Sequence, residues 1–548
     1  LGLVLAVAAC DEDGGPDTLG TPANVVAAAQ SPSRIRVTWA AVSGAQSYVI
    51  ERAEGATGGT FAEVGTATTT TFDDGNLNPS STYRYRVAAV SGTQRSSFST
   101  EVQAVTRAPG TVVVNADITA NRTFSRDTVY RLSGFIHVQA PAVLTIHAGT
   151  RILGDFDVVG SSLFIMRGAR IRAVGTASQP IVFTSSQPVG QRRSGDWGGL
   201  IIVGNATINR AGVINIEGTG TPLATNPLVN YGGGTNDADN SGELRYVRVE
   251  FAGYGPAANQ ELNSFTFAAV GSGTQMSHLQ SLAGLDDAFE WFGGGADAKY
   301  LVSYESGDDH FDMSEGFRGR LQYLIAFQSS TQPTIRPQAG NTSGDPVALE
   351  NDGCNGAGCT TGEFSTPFTI PLVANFTLIG PGPGTWVDGT GSGGYGMVLR
   401  RGTGGYYVNG VISRWSRGAI GIRDAASTGA RITAGELVIQ NVLVAADNAA
   451  MFQSGQLTVD AAANQIVQAT QNTTALFTAA PVAPANAGAL DFTPPTGSPA
   501  TTGGLATFTG NLATKGGTFV TGTSFRGAAP TSGADVRWWA GWTNFATN

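Results

Sequence analysis

A chain of 548 residues is too long for one ordinary domain and argues for about three structural regions. Its 75 glycines, its 13% of charged residues and the absence of long Leu/Glu/Lys-rich periodic runs exclude a mainly helical protein. The net charge of −9 is spread along the chain without a basic stripe, which argues against nucleic acid as a partner.

The first ten residues, LGLVLAVAAC, are an apolar segment with small residues directly before Cys10. They resemble the end of a bacterial lipoprotein signal peptide, with Val7, Ala8 and Ala9 preceding a lipidated Cys10. An ordinary apolar strand is the alternative. Asp11, Glu12 and Asp13 follow and resemble the acidic tag that sends some Bacteroidetes-type lipoproteins to the outer face of the outer membrane. These resemblances imply a surface-exposed outer-membrane lipoprotein, held to the membrane by its N-terminal lipid. No other apolar run approaches the roughly 18 residues of a membrane helix.

Residues 11–21 read as an acidic linker, and residues 22–107 alternate with period two between turn signals. Arg34–Trp39, Tyr48–Arg52 and Tyr83–Val90 are its clearest strands. Trp39 at the end of one strand, with Leu77-Asn78-Pro79-Ser80-Ser81-Thr82-Tyr83 leading into another, resembles a fibronectin type III domain. The resemblance makes Tyr83 the tyrosine corner and the module a spacer, with Arg84 and Arg86 on a solvated sheet face.

From residue 108 to 455 the pattern changes to short apolar runs separated by Gly, Asn and Asp turns. Val143–Ile146, Leu163–Met166, Ile181–Thr184 and Leu200–Val203 are early examples; Leu244–Val249, Leu321–Ile325 and Phe376–Ile379 are later ones. The stretch from Gly284 to Gly316 repeats itself: Asp286-Asp287-Ala288-Phe289-Glu290 returns as Asp308-Asp309-His310-Phe311-Asp312, 22 residues on. An all-β right-handed parallel β-helix accounts for both features, since equivalent residues then stack coil on coil. Gly149–Ile152, Pro180–Ser185, Gly195–Ile202 and the doubled Asp-Asp stretch resemble exported β-helix proteins common in Bacteroidetes and related phyla. That resemblance implies fold and export and little chemistry.

Residues 331–371 read as a long loop, and Cys354 and Cys359 within it as a small disulfide clip suited to an exported protein. Residues 456–548 are Ala/Thr/Gly-rich and end in Trp538-Trp539-Ala540-Gly541-Trp542, expected to cap the last coil.

Three places carry candidate chemistry. With Phe289, Trp291, Phe311 and Met313 pointing inward, strand alternation turns Asp286, Glu290, Asp308 and Asp312 outward around His310. Such carboxylates need raised pKa values or a hard cation such as Ca²⁺. Asp287 and Asp309 fall on the inner phase or in a turn, where bonding to backbone N–H groups is expected. In Asn236–Glu243, Asp237, Asp239 and Ser241 match the first half of a calcium loop, although Arg248 stands where a bidentate acid belongs. Trp197, between Gly195 and Gly198-Gly199, either stacks on a sugar or fills a coil corner.

The leading functional expectation is a lipid-anchored β-helix protein binding a glycan or extracellular matrix. A polysaccharide lyase or glycoside hydrolase is the alternative, because pectate-lyase types use bound calcium and polygalacturonase types use several aspartates. Gly307-Asp308-Asp309 is faintly similar to the latter, but Asn-Thr-Asp, Gly-His-Gly and Arg-Ile-Lys are missing. A surface-layer or filament component is the third. Replacing Cys10 with Ser is expected to abolish globomycin-sensitive processing; an unchanged mass in the Cys10→Ser variant would refute lipidation.

Overall fold

The computed structural model describes residues 19–220, 228–257, 260–330, 334–343, 346–382, 393–479, 490–533 and 535–546. Cys10 and the acidic run after it lie outside the described residues. The chain divides into two compact units between Gly110 and Thr111.

The first unit is an antiparallel two-sheet sandwich. Val26–Ser31, Arg34–Thr38 and Thr71–Asp74 form one sheet; Ser47–Glu54, Ala62–Ala67, Thr82–Ser91, Gln94–Arg95 and Val102–Val105 form the other. The alternation of Arg34–Thr38 is an alternation of burial, with Ile35 and Val37 inside and Arg34 and Arg36 outside. Trp39 meets Tyr48 edge-on with ring centroids 5.1 Å apart. The Tyr83 hydroxyl accepts a hydrogen bond from the Asn78 amide at 2.8 Å, which ties the strand to the bend before it. Arg84 and Arg86 lie over Phe61 on the outer sheet face, and Arg86 also pairs with Glu51.

The second unit is a solenoid of parallel strands, a β-helix. Among the described residues, nine strands make one face, in the order Phe135–Val138, Ser162–Ile165, Gly199–Val203, Phe265–Ala268, Phe289–Phe292, Phe311–Ser314, Leu349–Asp352, Tyr395–Arg400 and Gly418–Ile422. The second and third faces share bent strands. Gly242–Glu250, Gln275–Leu282, Asp297–Tyr304 and Arg320–Phe327 pair in register on both sides of one skipped residue, respectively Tyr246, His278, Tyr300 and Tyr323. These four have left-handed φ of 50°, 54°, 63° and 65°. A side chain costs about 1–2 kcal/mol in that region. Ring stacking along the corner offsets it, at 4.3, 4.5 and 5.1 Å between successive centroids.

Inside the solenoid the repeat becomes packing. Phe289 stacks on Phe265 at 4.9 Å and on Phe311 at 5.4 Å, and Trp291 stacks on Phe267 at 5.4 Å. No single coil buries such a ladder, so each coil is stable only against its neighbours.

Three features depart from expectation. The loop assigned to residues 331–371 contains a coil strand, because Leu349–Asp352 pairs with Phe311–Ser314 on one side and with Tyr395–Arg400 on the other. Solenoid pairing also runs past residue 455, since Val467–Gln468 joins Leu443–Val444. The aromatic C-terminus lies along the flank of the solenoid and packs against several successive coils. Trp538, Trp539, Trp542 and Phe545 pack on Leu282, Val302, Tyr304, Ile325 and Phe327, the outward residues of the third face. Arg248 donates to the Trp542 carbonyl at 2.8 Å, and Gln280 to the Asn544 carbonyl at 2.6 Å. The physical reason is that the third face is apolar on both sides, so its outer side also needs covering. Among the described residues, no helix is long and apolar enough to cross a membrane.

Trp542 is 1% exposed and donates its indole N–H to the Trp538 carbonyl at 2.8 Å. Trp542→Ala is expected to cost about 3–5 kcal/mol, read as a lower denaturant midpoint. An unchanged midpoint would mean that this segment does not stabilise the flank.

Candidate functional site

The site grows out of strand register on the nine-stranded face. Phe289, Trp291, Phe311 and Met313 point into the core, which turns the residues between them outward. Register places Glu290 beside Asp312 and Asp312 beside Glu350. Three carboxylates are thereby stacked at the strand spacing of about 4.8 Å. Asp352 lies beside Arg400 in the next pairing.

The bends before these strands add four more acids. Asn263 accepts a hydrogen bond from the Asp287 amide at 3.2 Å, Asp287 from the Asp309 amide at 2.9 Å, and Asp309 from the Val347 amide at 2.7 Å. This ladder fastens each bend to the next, the scaffold role expected for Asp287 and Asp309. Asp286 and Asp308 stand next to them and face the open side.

Together these residues line a cleft of about 1010 Å³. Among the described residues, eleven carboxylates face it, with Glu217 and Glu261 entering from excursions between coils and Glu315 from the corner after Ser314. Arg400 pairs with both Glu350 and Asp352, its Nε lying 2.7 Å from Asp352 Oδ1, and Arg401 also pairs with Asp352. Glu315 pairs with Arg210 and accepts the Tyr231 hydroxyl proton at 2.7 Å. Arg210 further donates to the Ala357 carbonyl at 2.7 Å, inside the loop closed by the Cys354–Cys359 disulfide. The bridge therefore braces the wall that carries Glu315.

Burial pushes Asp286, Asp287, Glu290, Asp309, Asp312 and Glu350 well above the usual carboxylate range. Neighbouring acids add to it: Asp308 acts on Asp286, Glu217 on Glu290 and Asp352 on Asp312. Glu217 is pushed up to about 8, by burial first and by Glu261 second. Burial alone would lower Arg400, but Asp352 and Glu350 carry it upward.

Asp286, Asp287 and Asp308 each present an oxygen within 4.8 Å of the others, and so do Asp287, Asp309 and Asp312. Ser314 Oγ is buried, lacks a hydrogen-bond partner and lines the same cleft; one Asp312 oxygen also lacks one. An all-oxygen donor set of this kind suits a hard divalent cation, which takes six to eight oxygens when it is Ca²⁺.

Other expected site residues are elsewhere. His310 is turned into the solenoid, 1% exposed, with Nδ1 2.6 Å from Ser303 Oγ. The cause is that the strand begins only at Phe311, so strand alternation does not reach residue 310; burial lowers its pKa to about 3. Trp197 is fully buried, donates to the Glu250 carbonyl at 2.8 Å and packs on Phe183, which makes it a corner filler and removes it from any sugar surface. Asp237 accepts from the Thr207 amide at 2.9 Å and pairs with Arg318, while Asp239 accepts from the Asn205 amide at 3.2 Å and the Ser241 hydroxyl at 3.4 Å. These three residues tie down the excursion between Val203 and Gly242, and among the described residues both candidate ion clusters lie in the acidic cleft instead.

Sequence reasoning missed Glu217, Glu261, Glu315, Glu350, Asp352, Arg400 and Arg401. Their signal was hidden by uneven coil lengths: register advances by 22 residues from Asp287 to Asp309, by 38 from Asp309 to Val347 and by 48 from Asp352 to Arg400.

Fold and cleft define a parallel β-helix with an acidic groove built across four successive coils. The pectate-lyase-like β-helix domain family matches residues 116–486, more than half of the chain, and the protein belongs to that family. A fibronectin type III domain matches residues 20–105. Among solved structures, the FN5 domain of Drosophila Lar is 22% identical, covering 16% of this chain and 98% of that one at a TM-score of 0.15. A human fibronectin type III domain is 26% identical, covering 19% and 90% at 0.16. No curated protein matches the chain. The two modules together mark a carbohydrate-related extracellular protein.

A carboxyl whose folded pKa is raised binds more protons in the folded state than in the unfolded one. Its stabilisation is complete below the unfolded value and is lost as pH rises through the folded value. For Glu217 that window runs from 4.5 to about 8. Without divalent cations, the melting temperature is expected to fall as pH rises from 5 to 8, and Glu217→Gln to flatten the fall. A profile that rises over this range would contradict the assignment.

Proposed function

We propose that the protein is a surface-displayed glycan-binding protein whose acidic cleft holds a divalent cation, with Ca²⁺ the best-suited ion, and through it the carboxylate of an acidic polysaccharide. The observation that carries this reading is the convergence, among the described residues, of eleven carboxylates on one cleft that Arg400 and Arg401 also line. So many buried acids stay ionised only beside a cation, and a cation that is not fully enclosed can accept a further carboxylate from a sugar. Asp287, Asp308, Asp309 and Asp312 supply ligand oxygens, while Arg400 and Arg401 stand ready to orient a uronate. Lipid attachment at Cys10, with the fibronectin module as spacer, would present the cleft outside the cell.

A second reading is cleavage of the same glycan. It is favoured by carboxyls held in unlike surroundings: Glu290 accepts from the neutral Asn263 amide, whereas Glu350 lies against Arg400. Such a split lets one carboxyl keep its proton as an acid while another acts as a base. Asp286, Glu290, Asp308 and Asp312 are the candidates for these roles.

Calorimetric titration with Ca²⁺ is expected to show binding that weakens at least tenfold in an Asp308→Asn, Asp312→Asn double variant, and uronate oligosaccharides are expected to bind only with the ion present. Absence of both a calcium heat and a calcium-induced rise in melting temperature would overturn the proposal. Incubation with a polysaccharide panel separates the readings: elimination yields an ultraviolet-absorbing unsaturated sugar, hydrolysis yields reducing ends, and pure binding yields neither.

A further inference from the structure

A second concave site lies on the outer side of the second face, between the coil corner and the short helix Gly510–Gly516. Its volume of about 520 Å³ falls within the usual small-ligand range of roughly 300–1,000 Å³. Among the described residues, the charged groups lining it are Arg318, Arg320, Lys515 and Asp297, three cations against one anion in a chain of net charge −9.

Asp297 is already engaged. It takes the Arg320 guanidinium in a two-pronged pair and also accepts the Arg320 amide at 2.8 Å. Arg318 is held from one side by Asp237 at 3.1 Å, outside the cavity lining, and its Nε is buried with no hydrogen-bond partner. Lys515 spends one proton on the Arg318 carbonyl at 2.6 Å, which brings its ammonium to the Arg318 backbone. An ammonium has three donors, so two remain. Burial, and then the Arg318 charge, lower the Lys515 pKa to about 8. Two crowded cations with spare donors are in this way kept together at a concave surface, where an incoming anion relieves their repulsion.

We infer that this cavity binds an oxyanion, the carboxylate or sulfate ester of an acidic sugar, through the Arg318 guanidinium and Lys515 Nζ. Asn511 and Thr514 on the helix, with Ser272 and Tyr406 opposite, supply neutral polar groups for sugar hydroxyls. The site uses fixed cations and needs no metal, which separates it from the cleft and makes it independent of the calcium reading.

The full chain is titrated calorimetrically in EDTA with a uronate trisaccharide, a sulfated disaccharide and inorganic sulfate. At least one of the two sugars is expected to bind, with affinity lost at least tenfold in Lys515→Gln and in Arg318→Gln. Lys515→Arg, which keeps the charge, is expected to stay within threefold of the parent, and the cleft variant Asp312→Asn to bind unchanged. Near-ultraviolet circular dichroism verifies that each variant retains its packing. Binding of neither sugar in EDTA, binding of inorganic sulfate alone, or unchanged affinity in Lys515→Gln would overturn the inference. A calcium effect on the cleft with no sugar bound in EDTA would leave the cleft reading standing and remove this one.

Discussion

In a parallel coil stack, each side chain is held one strand spacing, about 4.8 Å, from its counterparts above and below. Whatever residue type occupies a position is therefore amplified along the axis. Indoors the amplification is favourable, as Phe265, Phe289 and Phe311 become one column of stacked rings. Outdoors the same register lines up Glu290, Asp312 and Glu350, whose like charges oppose one another. The bend ladder from Asn263 through Asp287 and Asp309 to Val347 holds that arrangement in place against the repulsion. Core and groove are two outcomes of one geometric rule, and the free energy stored in the groove is supplied by the column behind it.

How much of this was legible follows from where the repeat is regular. Between Asp286 and Asp312 two coils have equal length, so the inward aromatics, the outward Glu290 and Asp312 and the scaffold acids Asp287 and Asp309 could all be read from spacing. Ala288 and His310 could not: both precede the strand, in a corner where the chain turns inward, and both are buried. Glu350 and Arg400 occupy equally regular places in the register, but long excursions separate them from their partners in sequence. The aromatic C-terminus was visible as a cluster, while its seat was not, since nothing local in Trp538–Trp542 says which of two apolar surfaces it covers. The fibronectin module was the most readable part, because its tyrosine corner is a contact between Tyr83 and Asn78, only five residues apart.

Backbone geometry at the cleft has a plain structural origin. Glu315 and Arg401 both adopt left-handed φ, 55° and 56°, and strained backbone often gathers at functional sites. Here the same conformation recurs at Tyr246, His278, Tyr300 and Tyr323, and again at Asn375, Asn409 and Asn441. It is the means by which this solenoid turns its corners. What distinguishes Glu315 and Arg401 is that their corners open onto acids, so charge and position, and not strain, mark the site. The distribution of charge is equally organised, with acids gathered on one face and Arg318, Arg320 and Lys515 on another.

The flanking C-terminal segment changes the kind of molecule a solenoid is. An array of coils touching only nearest neighbours can fray or nucleate piecemeal, because each unit answers only to the next. Here Arg248 and Gln280 are bonded to residues 294 and 264 positions away, and the segment also crosses Gln322 and Thr377. Coils that would otherwise open one at a time share a common fastening. Loosening a single coil must then disturb several. A modular architecture is in this way tied across its repeats, so that the coils no longer answer only to their nearest neighbours.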